Sequence, residues 1–599
     1  MTRLRPTSPA ERQSVPLNGF DTLRPNGRVD LLSERYYSNI NHDLLARIPL
    51  TAQSVLEFGC GSGSLGAAYK LRNPAVRYLG VEAMPGPAAE ASKCLDQVWH
   101  ADAECEDLFR DDPPLVDCLV YGDVLEHLRD PWACLARHLR FLAPDGVVVA
   151  CIPNVQHWSV LAQLLQGRWP LEDQGLFDRT HLRWFTRHSI VNGLREQGLV
   201  VHSLTPRVFN LDRARTFVRQ MEPALQSFGL DPQVALQGMA PLQYIVVAGQ
   251  ESVARLHLQG FSNINPMSMG EVRVRQPLQA LLSRPGISVR YTKDVIEVES
   301  SEEVGRLLIW QRPIFTDIDE DLSKLKKLIA AGHLVVIDWD DDPDHWPNVD
   351  QIEATFRSVH AIQVSTPELA EKVRHLNPEV KVFSNALPSL PPLPEGPPRD
   401  QGLRLFFGAL NREQDWAPLM DGLNAEMRRD PDFWSCSVVH DRAFFEALEL
   451  PGQRKSFVPT CSYEQYHQEM ARCDVAFLPL RDTPFNWMKS NLKAIEAGGH
   501  GLAVLASNVL YEKTLVNGET AALFADVADL QQHLKMWVEN PDAARQLGRR
   551  TRQWVAENHL AAHQVAQREQ WYRYLASRRA ELNRALWDRV PSLRPEGVD

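Results

Sequence analysis

The chain is poor in cysteine, in long apolar runs and in net positive charge, and each shortage removes a class of function. Its nine cysteines are scattered over 599 residues, with no Cys-x-x-Cys pair. That usage suits a reduced compartment and indicates neither a zinc site nor a disulfide framework. No apolar run approaches the roughly 20 residues that span a bilayer. Residues 1–19 lack the apolar core of a secretory signal, so a cytoplasmic location is expected. With 64 basic against 76 acidic residues the net charge is −12, which argues against a nucleic-acid-binding surface. No short repeat is present.

What is there is alternation of apolar strand-like and helix-like segments, in a chain too long for one hydrophobic core. Residues 1–30 read as a polar arm. Residues 31–250 form a first α/β unit, ending in an apolar strand over 243–249. A second runs over 255–390 and a third over 400–560, followed by a C-terminal helix and tail over 561–599. Between the second and third units, residues 387–398 carry Pro388, Pro391, Pro392, Pro394, Pro397 and Pro398. Such a stretch cannot be helix or central strand and is expected to be a stiff hinge. The expected fold class is α/β, with three parallel sheets between helices.

In the first unit, an apolar strand over 55–58 contains Glu57 and runs into Gly59, Gly61 and Gly63. Glycines there allow a tight turn and close approach of the backbone to a ligand. A second strand over 78–81 ends in Glu82, whose carboxylate can accept hydrogen bonds from a ribose diol. Ser64 stands where a dinucleotide-binding turn has its third glycine. Together with Glu57, the segment resembles motif I of class I S-adenosylmethionine-dependent methyltransferases of the small-molecule (type 11/23-like) kind. That resemblance implies a Rossmann-like domain binding S-adenosylmethionine. It also implies that Asp102 faces the adenine amino group.

The stretch 123–128 holds Asp123, Glu126 and His127 where a fourth strand ends, at the mouth of such a sheet. Asp123 is counted with the cofactor-binding set. Methyl transfer to a hydroxyl needs a group that takes its proton, and histidine titrates near working pH. His127 is the best-placed candidate base, with His157 and His181 in reserve; capping a helix or ordering a loop is the alternative role of His127. Residues 153–158 and 175–186 pack Asp, Arg and His beside aromatics. They suit a sugar-like acceptor, or a structural lid held by its own ion pairs.

In the third unit, a predicted helix between strands at 473–480 and 502–506 carries Lys489, Lys493 and Glu496. Residues four apart share a helix face, so the two lysines are expected to stack near its N-terminal half and hold a diphosphate. Glu496 can hold a ribose diol. The pattern looks like the donor site of retaining glycosyltransferases with two facing Rossmann-like domains, the GT-B fold (family 4-like). The family's two glutamates are separated by seven residues: the second matches Glu496, but the first falls on Met488. The resemblance also implies a diphosphate-facing loop at Gly408 with Arg412 as a second cation, and a nucleotide sugar as donor.

Residues 338–344 contain Asp-x-Asp. Metal binding, an acceptor-facing polar rim and a solvated loop all fit that pattern; no metal is assigned. The arginine-rich tail with Trp554, Trp571, Tyr572 and Tyr574 is expected to cross back onto the second unit rather than meet lipid. The combined expectation is a bifunctional enzyme of cell-surface glycan assembly (O-antigen, capsule or glycoprotein) that transfers a sugar and methylates a sugar hydroxyl. Its partners would be small molecules and glycans, with a lipid-linked acceptor met at the cytoplasmic face of the membrane. The alternative is a methyltransferase carrying a non-catalytic glycan-binding module.

Overall fold

The computed structural model describes residues 39–109, 113–262, 269–292, 305–393 and 402–595. The polar arm at 1–30 and the prolines at 394, 397 and 398 lie outside the described residues.

The first sheet is built from β1 (Ser54–Phe58), β2 (Arg77–Glu82), β3 (Gln97–His100), β4 (Val116–Gly122), β5 (Leu142–Pro153), β6 (Val200–Arg207) and β7 (Gln243–Gly249). Their spatial order is β3-β2-β1-β4-β5-β7-β6. Here the expectation of an all-parallel sheet is corrected: β7 inserts antiparallel between β5 and β6. Strand direction is a matter of which edge the returning chain meets, and alternation of elements does not encode it. β1 pairs with β2 on one side and β4 on the other, so the strand order reverses beside β1. A crevice opens outside the carboxyl ends of strands at such a point.

The second sheet holds β8 (Leu256–Phe261), β9 (Ile287–Thr292), β10 (Gly305–Gln311), β11 (Leu334–Trp339), β12 (Ala361–Val364) and β13 (Val380–Val382), ordered β13-β12-β11-β10-β8-β9. The third holds β14 (Leu403–Gly408), β15 (Trp434–Val439), β16 (Lys455–Val458), β17 (Val475–Leu478), β18 (Ala503–Ser507) and β19 (Ala522–Phe524), ordered β16-β15-β14-β17-β18-β19. The strand pairs within both are parallel. Strands such as β11 and β18 are buried along their whole length, as strands covered on both faces must be.

The three units share packing. Leu44, Ile48 and Leu50 of the first lie in one apolar cluster with Leu278 and Leu281 of the second and Trp571 of the tail. The Arg47 Nη1 donates to the Leu282 carbonyl at 3.3 Å. The described part of the proline segment is a packed crossing: Leu387 bridges to Leu560, and the Leu390 amide donates to the Leu71 carbonyl at 2.7 Å. After the helix Pro541–Asn558, which packs on the third unit, the chain returns to the second. There Tyr572 Oη donates to Gln363 Oε1 at 2.7 Å and Arg578 pairs with Glu379 at 3.0 Å. Among the described residues no helix is long and apolar enough to cross a membrane.

Candidate functional site

The first site is built at the reversal of the first sheet. Gly59, Gly61 and Gly63 all adopt positive φ, at 69°, 55° and 80°. A Cβ on Gly59 would lie 2.5 Å from Val124 Cγ2, and one on Gly63 2.8 Å from Cys94 Sγ. The turn is therefore sterically reserved for glycine. The Glu82 carboxylate is buried, and it accepts the Gly61 amide on Oε2 at 2.8 Å and the Met84 amide on Oε1 at 2.9 Å. Each carboxylate oxygen has two acceptor positions, so the group can still receive a vicinal diol. Glu57 sits beneath, accepting from Tyr78 Oη at 3.0 Å; burial pushes its carboxyl up to about 8 against that hydrogen bond. Asp102 is exposed in a turn closed by the Glu104 amide at 2.9 Å. This donor set and glycine turn fit S-adenosylmethionine, since a buried carboxylate with open acceptor positions beside a glycine turn can receive a diol.

Asp123 directly follows β4, with φ 55°. Its Oδ1 accepts from Gln243 Nε2 at 2.5 Å and from Cys151 Sγ at 3.3 Å, and burial raises its pKa. Beyond it a short turn, Leu125–His127, is latched to the loop ahead of it. The Leu182 and Arg183 amides donate to the Glu126 carbonyl at 2.8 and 3.0 Å. This brings His181 beside His127, with ring centroids 4.8 Å apart. The His127 Nδ1 lies 3.2 Å from the Thr180 carbonyl and 3.1 Å from its hydroxyl, which in turn donates to Asp178 at 2.6 Å. The Glu126 carboxyl is 1% exposed, its Oε2 has no hydrogen-bond partner, and burial drives its pKa upward. Sequence reasoning placed Glu126 at the mouth of the crevice and assigned it no role. Burial, then the neighbouring His127, lowers the pKa of His181.

His157 stands differently. It caps the helix Trp158–Leu165, its Nδ1 is 2.7 Å from Ser159 Oγ, and burial lowers its pKa to about 4. A ring so occupied is a weak proton acceptor near neutral pH. The loop over this site presents Trp169 and Trp184, 39% and 48% exposed and packed edge to face at 5.7 Å.

The second site lies where the third unit faces the second. The single helix expected to carry both lysines is corrected. A turn of helix, Pro484–Trp487, ends before Lys489, and a new helix, Leu492–Gly499, begins after it. Buried Asn486, inside the first turn, donates its side-chain amide to Asp415 at 2.9 Å and to the Arg481 carbonyl at 3.0 Å, and the Met488 carbonyl beyond it accepts from Thr366 Oγ1 at 3.2 Å. Lys489 therefore lies in the link, 4.0 Å over the Phe485 ring and 3.3 Å from Asp341 of the second unit. Lys493, in the first turn of the new helix, donates to the Gly408 carbonyl at 2.5 Å. Burial lowers the pKa of both lysines.

Glu496 accepts from Tyr463 Oη at 3.1 Å and faces His467 Nε2 at 3.6 Å; burial opposes its charge, but His467, Lys493 and Tyr463 hold its pKa below the ordinary value. His467 continues to His500 at 2.8 Å. Arg412 binds Asp415 at 3.1 Å and Asn486 at 3.0 Å. Asp415 and Asn486 were given no role from sequence, and Tyr463 and His467 were not singled out, since these groups approach one another only through folding. The Asp-x-Asp stretch is an ion-pair network: Asp338 pairs with Arg273, Asp340 with Arg312, Asp341 with Lys489 and Asp342 with Lys372. That disposes of the solvated-loop reading.

Two stretches of the chain match known families. Residues 32–204 match the methyltransferase domain family, and residues 429–570 match the glycosyl transferase-like family. A trans-aconitate 2-methyltransferase of Methylobacterium nodulans is 36% identical over 113 residues, which cover 19% of this chain and 43% of that protein. A ubiquinone biosynthesis O-methyltransferase of Psychrobacter arcticus is 29% identical over 148 residues, covering 24% of this chain and 58% of that one. The chain thus spans less than half of the first relative's length. Among solved structures, Anabaena HepE in complex with UDP-glucose is 12% identical, covers 54% of this chain and 100% of its own, and superimposes with a TM-score of 0.39. The chain carries a methyltransferase domain over residues 32–204 followed by a glycosyl transferase-like domain over residues 429–570.

Proposed function

We propose that this chain is a bifunctional enzyme of cell-surface glycan biosynthesis that methylates a sugar hydroxyl and transfers a sugar from a nucleotide-sugar donor with retention of configuration. The observation carrying this reading is the presence of two separately built crevices in one polypeptide whose units share a core. Holding them together raises the local concentration of one product at the other site. S-adenosylmethionine, when bound, supplies a methyl group on a sulfonium centre. Glu82, Asp102 and the Gly59–Gly63 turn hold it, with Glu57 and Asp123 supporting the turn and the strand end. His127 and His181 face the position of the acceptor and handle its hydroxyl proton; exposed Trp169 and Trp184 offer faces on which a sugar can stack.

In the second site, Lys489, Lys493 and Arg412 face the diphosphate, with the Gly408 loop beneath, and Glu496 holds the ribose. The domain limits proposed are 31–250, 255–390 and 400–560. We place the protein in the cytoplasm, where a lipid-linked acceptor is met at the inner membrane face. A thermal-shift panel tests this: stabilisation by both S-adenosylhomocysteine and one of the UDP-, GDP- or dTDP-sugars is expected.

One observation favours a second reading, a methyltransferase with a non-catalytic glycan-binding module. Met488 stands where the family has a glutamate, and it packs against the apolar cluster of the second unit. Stabilisation by S-adenosylhomocysteine alone is its signature.

A further inference from the structure

We propose that Glu126, His127 and His181 form a divalent-cation site at the acceptor end of the methyltransferase crevice, taking a cation of the Mn²⁺, Co²⁺ or Zn²⁺ class. Among the described residues these three bring ligand atoms within 4.8 Å of one another. Two imidazoles and one carboxylate are a donor set for such metals. Bonds of about 2.0–2.2 Å place neighbouring donor atoms roughly 3–3.5 Å apart, so closure needs side-chain movements of about 1 Å.

The second observation is independent of that spacing. Glu126 is 1% exposed and its Oε2 has no hydrogen-bond partner. Its Oε1 is 4.0 Å from His181 Nε2, too far for a hydrogen bond. A buried carboxylate oxygen left without a partner is costly, and a cation between Glu126 and His181 removes that cost.

The supporting shell also fits. The Thr180 carbonyl 3.2 Å from His127 Nδ1 suits an N–H there, which leaves Nε2 as the free lone pair. Thr180 is itself fixed by Asp178 at 2.6 Å. The latch from Leu182 and Arg183 to the Glu126 carbonyl holds the two ligand-bearing segments in register.

Location suggests what the cation does. Val124, two residues from Glu126, lies against the glycine turn at Gly59. Three protein ligands leave coordination positions open on the crevice side. A cation there lowers the pKa of a hydroxyl that touches it. With the cation bound, His127 and His181 are its ligands and no longer take the proton themselves: the O–H proton leaves to solvent, the oxygen's electron pair forms the O–CH3 bond, and the C–S bond breaks with its pair returning to sulfur, which gives S-adenosylhomocysteine. This role rests on the methyl-transfer reading above; the site itself does not.

The test uses the full chain without a histidine tag, stripped with EDTA and titrated with Mn²⁺, following the loss of the free-ion EPR signal. One Mn²⁺ is expected to bind, weakened at least about tenfold in Glu126→Gln and in His127→Ala separately. Both variants should keep their thermal stabilisation by S-adenosylhomocysteine, which shows the domain folded. If Glu126→Gln fails that check, His127→Ala carries the comparison. Wild-type protein that binds none of Mn²⁺, Co²⁺ and Zn²⁺, or folded variants that bind like wild type, overturns the site. Methyl transfer that survives in protein binding no metal removes the site and leaves the proposed function standing. Metal binding lost in the variants, with no methyl transfer to any glycan, upholds the site and removes the function.

Discussion

Lys489 Nζ lies 3.3 Å from Asp341 Oδ1, tying the link between two helices of the third unit to the end of β11 in the second. An ammonium proposed to meet a donor diphosphate is thus occupied by a carboxylate across the cleft. Binding a donor exchanges one anionic partner for another. Lys489→Ala is expected to lower nucleotide-sugar affinity by about tenfold, equivalent to ~1.4 kcal/mol. Asp341→Asn should raise it by a few-fold, because the competing charge is gone. Calorimetric titration of both variants with the stabilising nucleotide sugar checks the pair; equal affinities in the two would remove Lys489 from the donor site.

Glu496 offers a cleaner separation of the two activities. Its carboxylate is held by Tyr463 and His467, and its charge is favoured where it sits. Glu496→Gln is expected to cost donor binding about 2 kcal/mol, or roughly thirtyfold. Methyl transfer should be unchanged. Parallel assays of the two reactions on one preparation read this directly.

Gly59→Ala introduces a Cβ 2.5 Å from Val124 Cγ2 at a φ of 69°. The strained conformation costs about 1–3 kcal/mol. Loss of stabilisation by S-adenosylhomocysteine is expected. Adding Val124→Ala should restore part of it, since the contact is relieved while the backbone strain remains. A thermal-shift comparison of single and double variants decides this.

His360 predicts acid sensitivity. Its Nδ1 accepts the Val335 amide at 2.9 Å and its Nε2 donates to Asn583 Oδ1 at 2.9 Å, joining β11 to the helix Arg579–Arg589. Burial, with Arg589 nearby, lowers its pKa from 6.5 to about 4. The unfolded chain therefore binds the proton first as pH falls. Stability is full above pH ~6.5 and declines toward pH ~4, by up to about 3 kcal/mol from this group. His360→Gln should flatten that part of the profile, measured by urea denaturation at each pH. An unchanged slope would assign it to the other buried histidines.

Some of this was legible in the residues because its physics is local. An apolar run before Gly59, Gly61 and Gly63 announces a strand and a turn that needs positive φ. Lys493 and Glu496 could be placed because they fall within one short helix. Lys489 could not: the first helix ends at Trp487, the Met488 carbonyl after it accepts from the Thr366 hydroxyl of the second unit at 3.2 Å, and no local pattern reports a contact made across the fold. The antiparallel β7 escaped for the same reason.

The sequence by itself determined the α/β class, the order of the units and the identity of the groups at each strand end, since these follow from periodicity and backbone preference over a few residues. Tertiary structure alone decided which groups meet. It placed His181 against His127, left Glu126 buried with an unpartnered oxygen, and turned an Asp-x-Asp stretch into partners for Arg273, Arg312, Lys372 and Lys489. Those contacts join segments far apart in the chain, where proximity is set by the packing of sheets and loops rather than by spacing along the chain.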